Sequence, residues 1–232
     1  MPPPETKPQP YRRVGLVTNP PPIALQPGSQ SSDGDDPVLF TQDFDNETIG
    51  AFPSGWKGEE SMAIMRVIEG GPGLKRTNCL EFKHVQSNGV GSVRLTRRVP
   101  TGEGRVKLEF DFRCEDLNHL LVGFYFEHED DFTRSIQTEI IRKSSETFPS
   151  LRLCGETVPY EFGTWIRLRF QIDLEAATVD IWVDGVFTFK KIKLKHPPRK
   201  LNNLTIRCNA NSAATVLIDN IRITKLKGTT AP

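Results

Sequence analysis

The sequence predicts an all-β protein in which antiparallel strands form a two-sheet sandwich or jelly roll. The main observation is a stretch at residues 165–189, where apolar and polar residues alternate along two strands joined by a turn at 175–177. Since successive side chains of a strand point to opposite faces, each strand buries one face. Asp184-Gly185 ends the second strand, and this dipeptide favours the type I′ turn of a hairpin. No stretch shows helical periodicity over three turns.

Further strands are expected wherever the same alternation recurs between glycine- and proline-containing turns. The expected strands cover residues 62–67, 79–83, 91–99, 105–113, 120–126, 135–142, 150–154, 204–208 and 215–224. The lysine-rich segment 190–195 is interpreted as a solvated sheet edge, since lysine on an edge strand discourages aggregation.

Three segments differ in composition. Residues 1–36 are rich in proline, glycine and serine and predict a disordered linker, because they contain too few apolar residues to offset the entropy of ordering. Residues 37–227 are expected to form the β-sandwich domain, and residues 228–232 a short C-terminal tail.

Charge and composition exclude several classes of function. The formal net charge is +1, so no long-range field favours nucleic acid. No apolar run approaches the roughly 20 residues of a membrane helix, so membrane insertion is not expected. The N-terminus has no signal-peptide pattern, which leaves a cytoplasmic protein or a segment of a longer exported, extracellular or cell-surface chain.

The cysteines are far apart in sequence and form no CxxC pair, which argues against a zinc or redox motif. We expect buried thiols, with one or two disulfides as the alternative if the domain is exported. The four positions are Cys79, Cys114, Cys154 and Cys208.

Three short motifs carry a family resemblance. They are DFD at 43–45 followed by FPSGW at 52–56, the paired strands at 172–185 that end in V-D-G, and the I-D-N-I strand at 217–223. Together they resemble concanavalin A-like, or laminin G-like, jelly-roll domains across residues 38–225. That family includes lectins, carbohydrate-binding modules, adhesion domains and glycoside hydrolases, so the resemblance implies a fold and several possible functions.

Relatives of the laminarinase type carry acidic residues in an E-x-D-x-E pattern, which this chain matches in part. Glu109 and Asp111 occupy the first two positions, whereas Arg113 stands at the third. A retaining glycosidase needs two carboxyl groups about 5–5.5 Å apart. The resemblance therefore implies a glycoside hydrolase as one alternative, and cross-strand ion pairs on a solvent-facing strand as the other.

A sugar-binding surface is the second expectation, because aromatic faces stack on sugar rings while polar groups fix the hydroxyls. Trp182 and Asp180 lie opposite the apolar positions of one strand, and Tyr125 does the same on another. Gln137 and Glu139 share this polar parity, so all five are predicted to line one concave ligand-binding surface. For Trp182 the alternative is packing beneath a loop or against the second sheet.

The resemblance also implies a structural calcium ion between the first and last strands, held by Asp43, Asp45 and Asp219. Calcium prefers six to eight oxygen ligands. The apolar residues occupy even-numbered positions before Asp219 and odd-numbered positions after it, which predicts a bulge that directs the Asp219 carboxylate inward. The alternative is an aspartate that accepts hydrogen bonds from backbone amides.

The leading hypothesis is a non-catalytic carbohydrate-binding or adhesion module of a larger surface or exported protein, with a glycan or a cell-surface protein as its partner. A glycoside hydrolase using Glu109 and Asp111 is the first alternative. A purely structural interaction domain is the second.

Overall fold

The structure, a computed structural model, describes the folded part of the chain with several gaps. The described ranges are residues 36–58, 63–72, 77–84, 93–118, 120–128, 131–142, 149–209 and 212–227. The predicted linker, apart from Asp36, and the predicted C-terminal tail lie outside the described residues.

The described residues form strands and no helix, as the sequence predicted. The strands are β1 (Val38–Gln42), β2 (Trp56–Gly58), β3 (Ala63–Glu69), β4 (Asn78–His84), β5 (Val93–Gly102), β6 (Arg105–Leu117), β7 (Leu120–His128), β8 (Asp131–Arg142), β9 (Ser150–Leu153), β10 (Glu156–Pro159), β11 (Ile166–Asp173), β12 (Thr178–Val183), β13 (Val186–Lys193), β14 (Leu201–Cys208) and β15 (Ala214–Lys225). This part of the chain accordingly has no helix long and apolar enough to cross a membrane.

Two antiparallel sheets form the sandwich. Sheet A has the order β13-β12-β11-β6-β15-β4-β3, and β1 also pairs with β15. Sheet B has the order β10-β9-β8-β7-β14-β5-β2. The all-β sandwich predicted from the sequence is therefore confirmed.

The core lies between the sheets and is rich in phenylalanine. Phe110 of sheet A packs against Phe124 of sheet B with ring centroids 4.5 Å apart, and Phe170 lies parallel to Phe110 at 6.1 Å. All three rings are almost completely buried. Burying an aromatic side chain of this size contributes about 1.5–3 kcal/mol to the stability of the fold, so this cluster makes a large contribution to the packing of the two sheets against each other.

The hairpin predicted at Asp184-Gly185 is confirmed. Both residues have positive φ, 50° and 78°, as a type I′ turn requires. The returning strand, β13, lies at the edge of sheet A, which confirms that the lysine-rich segment forms a sheet edge.

β15 accommodates two strands on one of its edges. Residues 214–218 pair with β4, and residues 221–224 pair with β1. The register with β6 shifts between Asp219 and Arg222, and Asn220 has φ 51°. The predicted bulge is thus present and lies between the part of β15 that pairs with β4 and the part that pairs with β1.

Three strands were not predicted. β1 has five residues without strict alternation of buried and exposed positions, β2 has three residues, too few to show an alternating pattern, and β10 is an edge strand with mostly exposed side chains. The four cysteines are free: Cys79, Cys114 and Cys208 are buried, and Cys154 is half-buried. The expectation of buried thiols is therefore confirmed for three of them, and the disulfide alternative does not occur in this structure.

Candidate ligand-binding faces

The outer face of sheet B carries polar side chains in three cross-strand rows, which together we name the polar face. Residues directly opposite each other on neighbouring strands share a face, so the register defines each row. The first row is Arg94, Arg207, Gly123, Glu139 and Arg152. The second row is Thr96, Thr205, Tyr125 and Gln137. The third row is Arg98, Asn203, Glu127 and Ser135.

Glu139 connects three strands of the polar face. The Tyr125 hydroxyl donates a hydrogen bond of 2.8 Å to Oε1, and Arg152 Nε donates one of 2.6 Å to Oε2. Burial, followed by the charge of Glu139, raises the pKa of Tyr125. Tyr125 therefore stays a neutral donor, and Glu139 is directed towards β9.

Glu127 is the second buried carboxylate of this face. Thr205 Oγ1 donates a 2.6 Å hydrogen bond to its Oε1, and Asn203 Nδ2 donates to Thr205 Oγ1 at 3.0 Å. Burial raises the pKa of Glu127, while the Thr205 hydrogen bond and the charge of Arg94 oppose the shift. This carboxylate is directed towards β14, away from Glu139.

Gly123 makes room for the Tyr125 side chain. A Cβ at position 123 would lie 2.7 Å from the Tyr125 hydroxyl oxygen and 2.9 Å from the Thr138 carbonyl oxygen. The phenol therefore lies along the sheet over Gly123 and is 7% exposed. It forms part of the floor of the polar face.

Ser135 adds an unused polar group to the third row. Its hydroxyl is buried and has no hydrogen-bond partner among the described residues. A buried polar atom left unpaired costs free energy, and because this hydroxyl is buried, a ligand would reach it only after neighbouring side chains moved.

The outer face of sheet A carries the residues predicted for hydrolysis. Arg169 Nε donates to Glu109 at 2.8 Å, and Lys107 Nζ lies 3.5 Å from the same carboxylate. Arg167 binds Asp111 through two hydrogen bonds of 2.8 and 2.9 Å. Both carboxylates thus form cross-strand ion pairs, which is the alternative to a catalytic role that the sequence left open for this strand.

A pocket of about 380 Å³ lies over these ion pairs, lined by residues of β1, β6, β11 and β15. Glu109, Arg169 and Asn220 line it. Asn220 Nδ2 donates a hydrogen bond of 2.7 Å to the Asp111 carboxylate. The charged groups at its base are paired with one another, so a ligand there would have to compete with existing ion pairs.

Trp182 and Asp180 also lie in sheet A, on β12. The Trp182 ring is half-buried, lies 4.8 Å from Phe187 between centroids, and has the Arg169 guanidinium 5.8 Å from its centre. Asp180 Oδ1 accepts a 2.5 Å hydrogen bond from the Lys191 backbone. The prediction that these two residues share one surface with Tyr125, Gln137 and Glu139 is wrong, because the two groups lie on different sheets.

The aspartates predicted to bind calcium lie near the β15 bulge. Asp219 is 1% exposed, and burial, followed by the charges of Asp111 and other aspartates, raises its pKa to about 7. Asp43 and Asp45 are exposed, and each accepts a backbone hydrogen bond, from Asp45 and Asn78 respectively.

No three His, Cys, Asp or Glu side chains in the described ranges are arranged to hold a metal ion together. A calcium ion at Asp219 would therefore need backbone or amide oxygens as most of its ligands. Calcium binding stays a prediction, which a calorimetric titration of the protein and its Asp219→Asn variant would check.

Sequence reasoning missed several residues of the polar face, namely Arg94, Arg98, Glu127, Ser135, Arg152, Asn203, Thr205 and Arg207. The sequence shows that these polar residues alternate with apolar ones along each strand. It does not show which strands are neighbours in a sheet, and therefore does not show which residues share a face. Glu127, two positions after Tyr125, had the clearest available signal.

Comparisons with known proteins support the architecture. No family model matches the sequence, and no curated protein matches it. Among solved structures, the chain is similar to a sialidase at 12% identity and TM-score 0.60, covering 82% of this chain and 19% of that chain. It is similar to the cellulose-induced protein Cip1 at 11% identity and TM-score 0.55, covering 83% of this chain and 100% of that chain.

A β-1,3-glucanase from Mycobacterium marinum is similar at 15% identity and TM-score 0.51, covering 82% of this chain and 99% of that chain. These likenesses show a shared jelly-roll sandwich. That architecture is consistent with the concanavalin A-like fold implied by the sequence motifs.

Proposed function

We propose that this chain is a non-catalytic carbohydrate-binding module of a larger exported or surface protein, and that it binds its glycan on the polar face of sheet B. The observation that carries this proposal is the row-by-row alignment of hydrogen-bonding side chains around Tyr125. Sugar sites combine an aromatic contact with polar groups that fix hydroxyls. Gln137, which is half-buried and lies directly opposite Tyr125, supplies such a group beside the tyrosine.

An open surface suits a polysaccharide chain better than a closed cavity does. The cavity between Arg94, Tyr125, Glu127, Thr205 and Arg207 is about 10 Å³, roughly the room that one water molecule needs. A glycan would therefore lie across the strands. Because Tyr125 is only 7% exposed, it would contribute its edge and hydroxyl rather than a broad stacking platform.

Binding is favoured over hydrolysis by the positions of the carboxylates. Of the outward positions Ser135, Gln137 and Glu139 on β8, only the last is acidic, whereas the E-x-D-x-E pattern needs three acids. Glu127 and Glu139 are separated by four residues in register, roughly 13 Å along the strands, and point to different neighbours. This does not favour the 5–5.5 Å pairing of a retaining glycosidase.

The names of the structural neighbours support a carbohydrate-related function and do not separate binding from hydrolysis. A sialidase and a β-1,3-glucanase are among the proteins that share the fold. The hydrolase alternative with Glu109 and Asp111 has less support, because arginines hold both carboxylates in ion pairs.

Glycan-array binding combined with a reducing-sugar assay tests the proposal. Gln137→Ala should weaken binding about tenfold, the effect of losing one or two good hydrogen bonds. Trp182→Ala, on the other sheet, discriminates between the two faces. Binding that depends on Trp182 and not on Gln137 would move the site to sheet A.

The other readouts separate the remaining alternatives. Release of reducing ends by the unmodified protein would favour the hydrolase. Absence of binding across neutral and acidic glycans would favour a structural interaction domain.

A further inference from the structure

Positive charge is concentrated in one segment of the chain, which begins at the edge of sheet A. Residues 185–218 contain seven lysine or arginine residues and no aspartate or glutamate, although the whole chain has a formal net charge of only +1. Six of the seven lie on β13 and in the connection to β14, and all six are exposed, namely Lys190, Lys191, Lys193, Lys195, Arg199 and Lys200. We name residues 186–200 the basic edge.

The cations of the basic edge are not neutralised by the protein itself. None of the six side chains forms an ion pair within the part of the chain that the structure describes. The neighbouring hairpin residues Asp180 and Asp184 each accept a backbone hydrogen bond, from Lys191 at 2.5 Å and from Arg167 at 2.8 Å. Because six cations outnumber these two carboxylates, the basic edge keeps an attraction for an external anionic surface.

Exposed apolar side chains lie at one end of the basic edge. Val186 and Phe187 follow the Asp184-Gly185 turn directly, and both are exposed. The Phe187 ring lies 4.8 Å from the half-buried ring of Trp182 on β12, measured between ring centroids. The hairpin therefore presents an apolar tip, and the lysines begin further along the same strand.

The spacing along β13 matches the layers of a lipid surface. Lys190 and Lys193 follow Phe187 by three and six residues, which is roughly 10 and 20 Å along a strand. Apolar groups of proteins that lie on membranes enter the boundary between headgroups and acyl chains by about 5–10 Å. With the tip at that depth, the first lysines lie at the level of the lipid phosphates and the later ones just outside it.

We propose that the basic edge docks on an anionic phospholipid surface, with Val186 and Phe187 inserted and the lysines of β13 beside the lipid phosphates. A lipid surface fits better than a nucleic acid or an acidic polysaccharide, because only lipid removes the two apolar side chains from water. Tryptophan beside such a tip is typical of the membrane–water interface, which suits Trp182. Docking of this kind needs no membrane-spanning helix. It is independent of the proposed function, since the polar face lies on the other sheet.

Co-sedimentation of the full chain with lipid vesicles tests the proposal. The vesicles are phosphatidylcholine alone and an equal mixture of phosphatidylcholine and phosphatidylserine, each at low and at physiological salt. We expect binding to the mixed vesicles to be at least tenfold tighter than to phosphatidylcholine and to weaken as salt is raised. Brominated acyl chains should quench part of the tryptophan fluorescence, and Trp182→Phe should lose this quenching because Trp182 lies beside the inserted Phe187.

Two double variants separate charge from insertion. Lys190→Gln with Lys193→Gln should weaken binding to the mixed vesicles about twentyfold, since each lysine near an anionic surface contributes roughly fivefold. Val186→Ser with Phe187→Ser should weaken binding at least tenfold and abolish the quenching by brominated lipid, while the salt dependence stays.

The matched control removes two cations elsewhere on the same sheet. Arg222→Gln with Lys225→Gln changes two exposed positions of β15 and should alter the affinity for mixed vesicles less than twofold. Gel filtration and thermal unfolding show whether each variant is folded and free of aggregates.

The remaining outcomes would overturn the proposal. Equal losses in the two charge variants would show attraction by net charge alone. Binding that persists without Val186 and Phe187, shows no quenching and is equally strong for heparin or duplex DNA would indicate a general polyanion site instead of a lipid site. Absence of sedimentation with the mixed vesicles would also overturn it. Failure of glycan binding at the polar face would affect the proposed function only.

Discussion

Glu127 illustrates, at the scale of one residue, how burial and function compete. The carboxylate is 3% exposed and has a hydrogen bond from Thr205. Burial raises its pKa in spite of this hydrogen bond and of the charges of Arg94 and Arg207. Such a group weakens the fold when it is ionised and is retained where its charge or its hydrogen bonds serve another purpose.

The raised pKa of Glu127 predicts a pH dependence of stability. The folded state binds this proton more tightly than the unfolded state, so the associated stability is present at low pH and is lost as pH rises above the usual glutamate pKa of about 4.5. Glu127→Gln should therefore gain stability relative to the unmodified protein as pH rises from 4 to 8. Urea unfolding at the two pH values measures it. A difference between the two proteins that is the same at both pH values would contradict this explanation.

Some residues of the polar face were predictable and others were not. Tyr125, Gln137 and Glu139 were identified because they alternate with apolar residues of their strands, namely Phe124, Phe126, Ile136 and Ile140, which defines an outward position. Trp182 and Asp180 have the same signature, but they lie on the other sheet. Alternation along one strand shows which of its side chains point outward. Which outward side chains from different strands share a surface depends on the order of the strands in the sheets, and that order is set by contacts between residues far apart in sequence.

β13, at the edge of sheet A, is an element that must avoid pairing with other chains. Its exposed apolar residues are Val186 at 68% and Phe187 at 46%, and lysines follow them. Lys191 has φ 49° and donates its backbone N–H to Asp180, which makes a local irregularity in the pairing with β12. Charged side chains and an irregular backbone both hinder the pairing of a sheet edge with a strand of another chain.

Removing the edge charges should therefore promote association. The double change Lys190→Ile and Lys193→Ile is expected to leave the fold intact but to raise light scattering during incubation at 37 °C. The control is Arg222→Ile with Lys225→Ile on β15, which has neighbours on both sides. Equal aggregation of the two double variants would show that general hydrophobicity, not the free edge, is responsible.

Element boundaries followed from the sequence where alternation was long enough. β11 was predicted almost to the residue, whereas β6 was predicted to end at Arg113 and continues to Leu117, because the regular alternation stops at Arg113. β2 was missed because its three residues, which pair with β5, are too few to show a sequence pattern of their own.

At the scale of the whole molecule, the sandwich is stabilised by its packed interior without disulfide bonds. All four cysteines are free thiols. Burial raises the pKa of Cys79 and Cys208 to about 12 and also raises that of Cys114. Thiolates are the reactive form, so these side chains are chemically inert in the folded state.

We expect the thiols to react only after unfolding. With an aromatic disulfide reagent at pH 8, the native protein should release colour slowly and the denatured protein should release four equivalents rapidly. Reductant should not change the unfolding temperature. A drop in that temperature on adding reductant would reveal a disulfide that the structure does not have.

The chain enters and leaves the sandwich at neighbouring points. Lys227 donates its backbone N–H to Asp36 at 3.1 Å, and Lys225 donates to the Pro37 carbonyl at 2.9 Å. Because β1 begins beside the end of β15, a force applied between residues 36 and 227 would open the ladder one hydrogen bond at a time, as a zipper opens, instead of shearing all of its bonds together. Under tension β1 would peel away first and expose the edge of β15 next to the bulge, while the strands that carry the polar face would not yet bear the load.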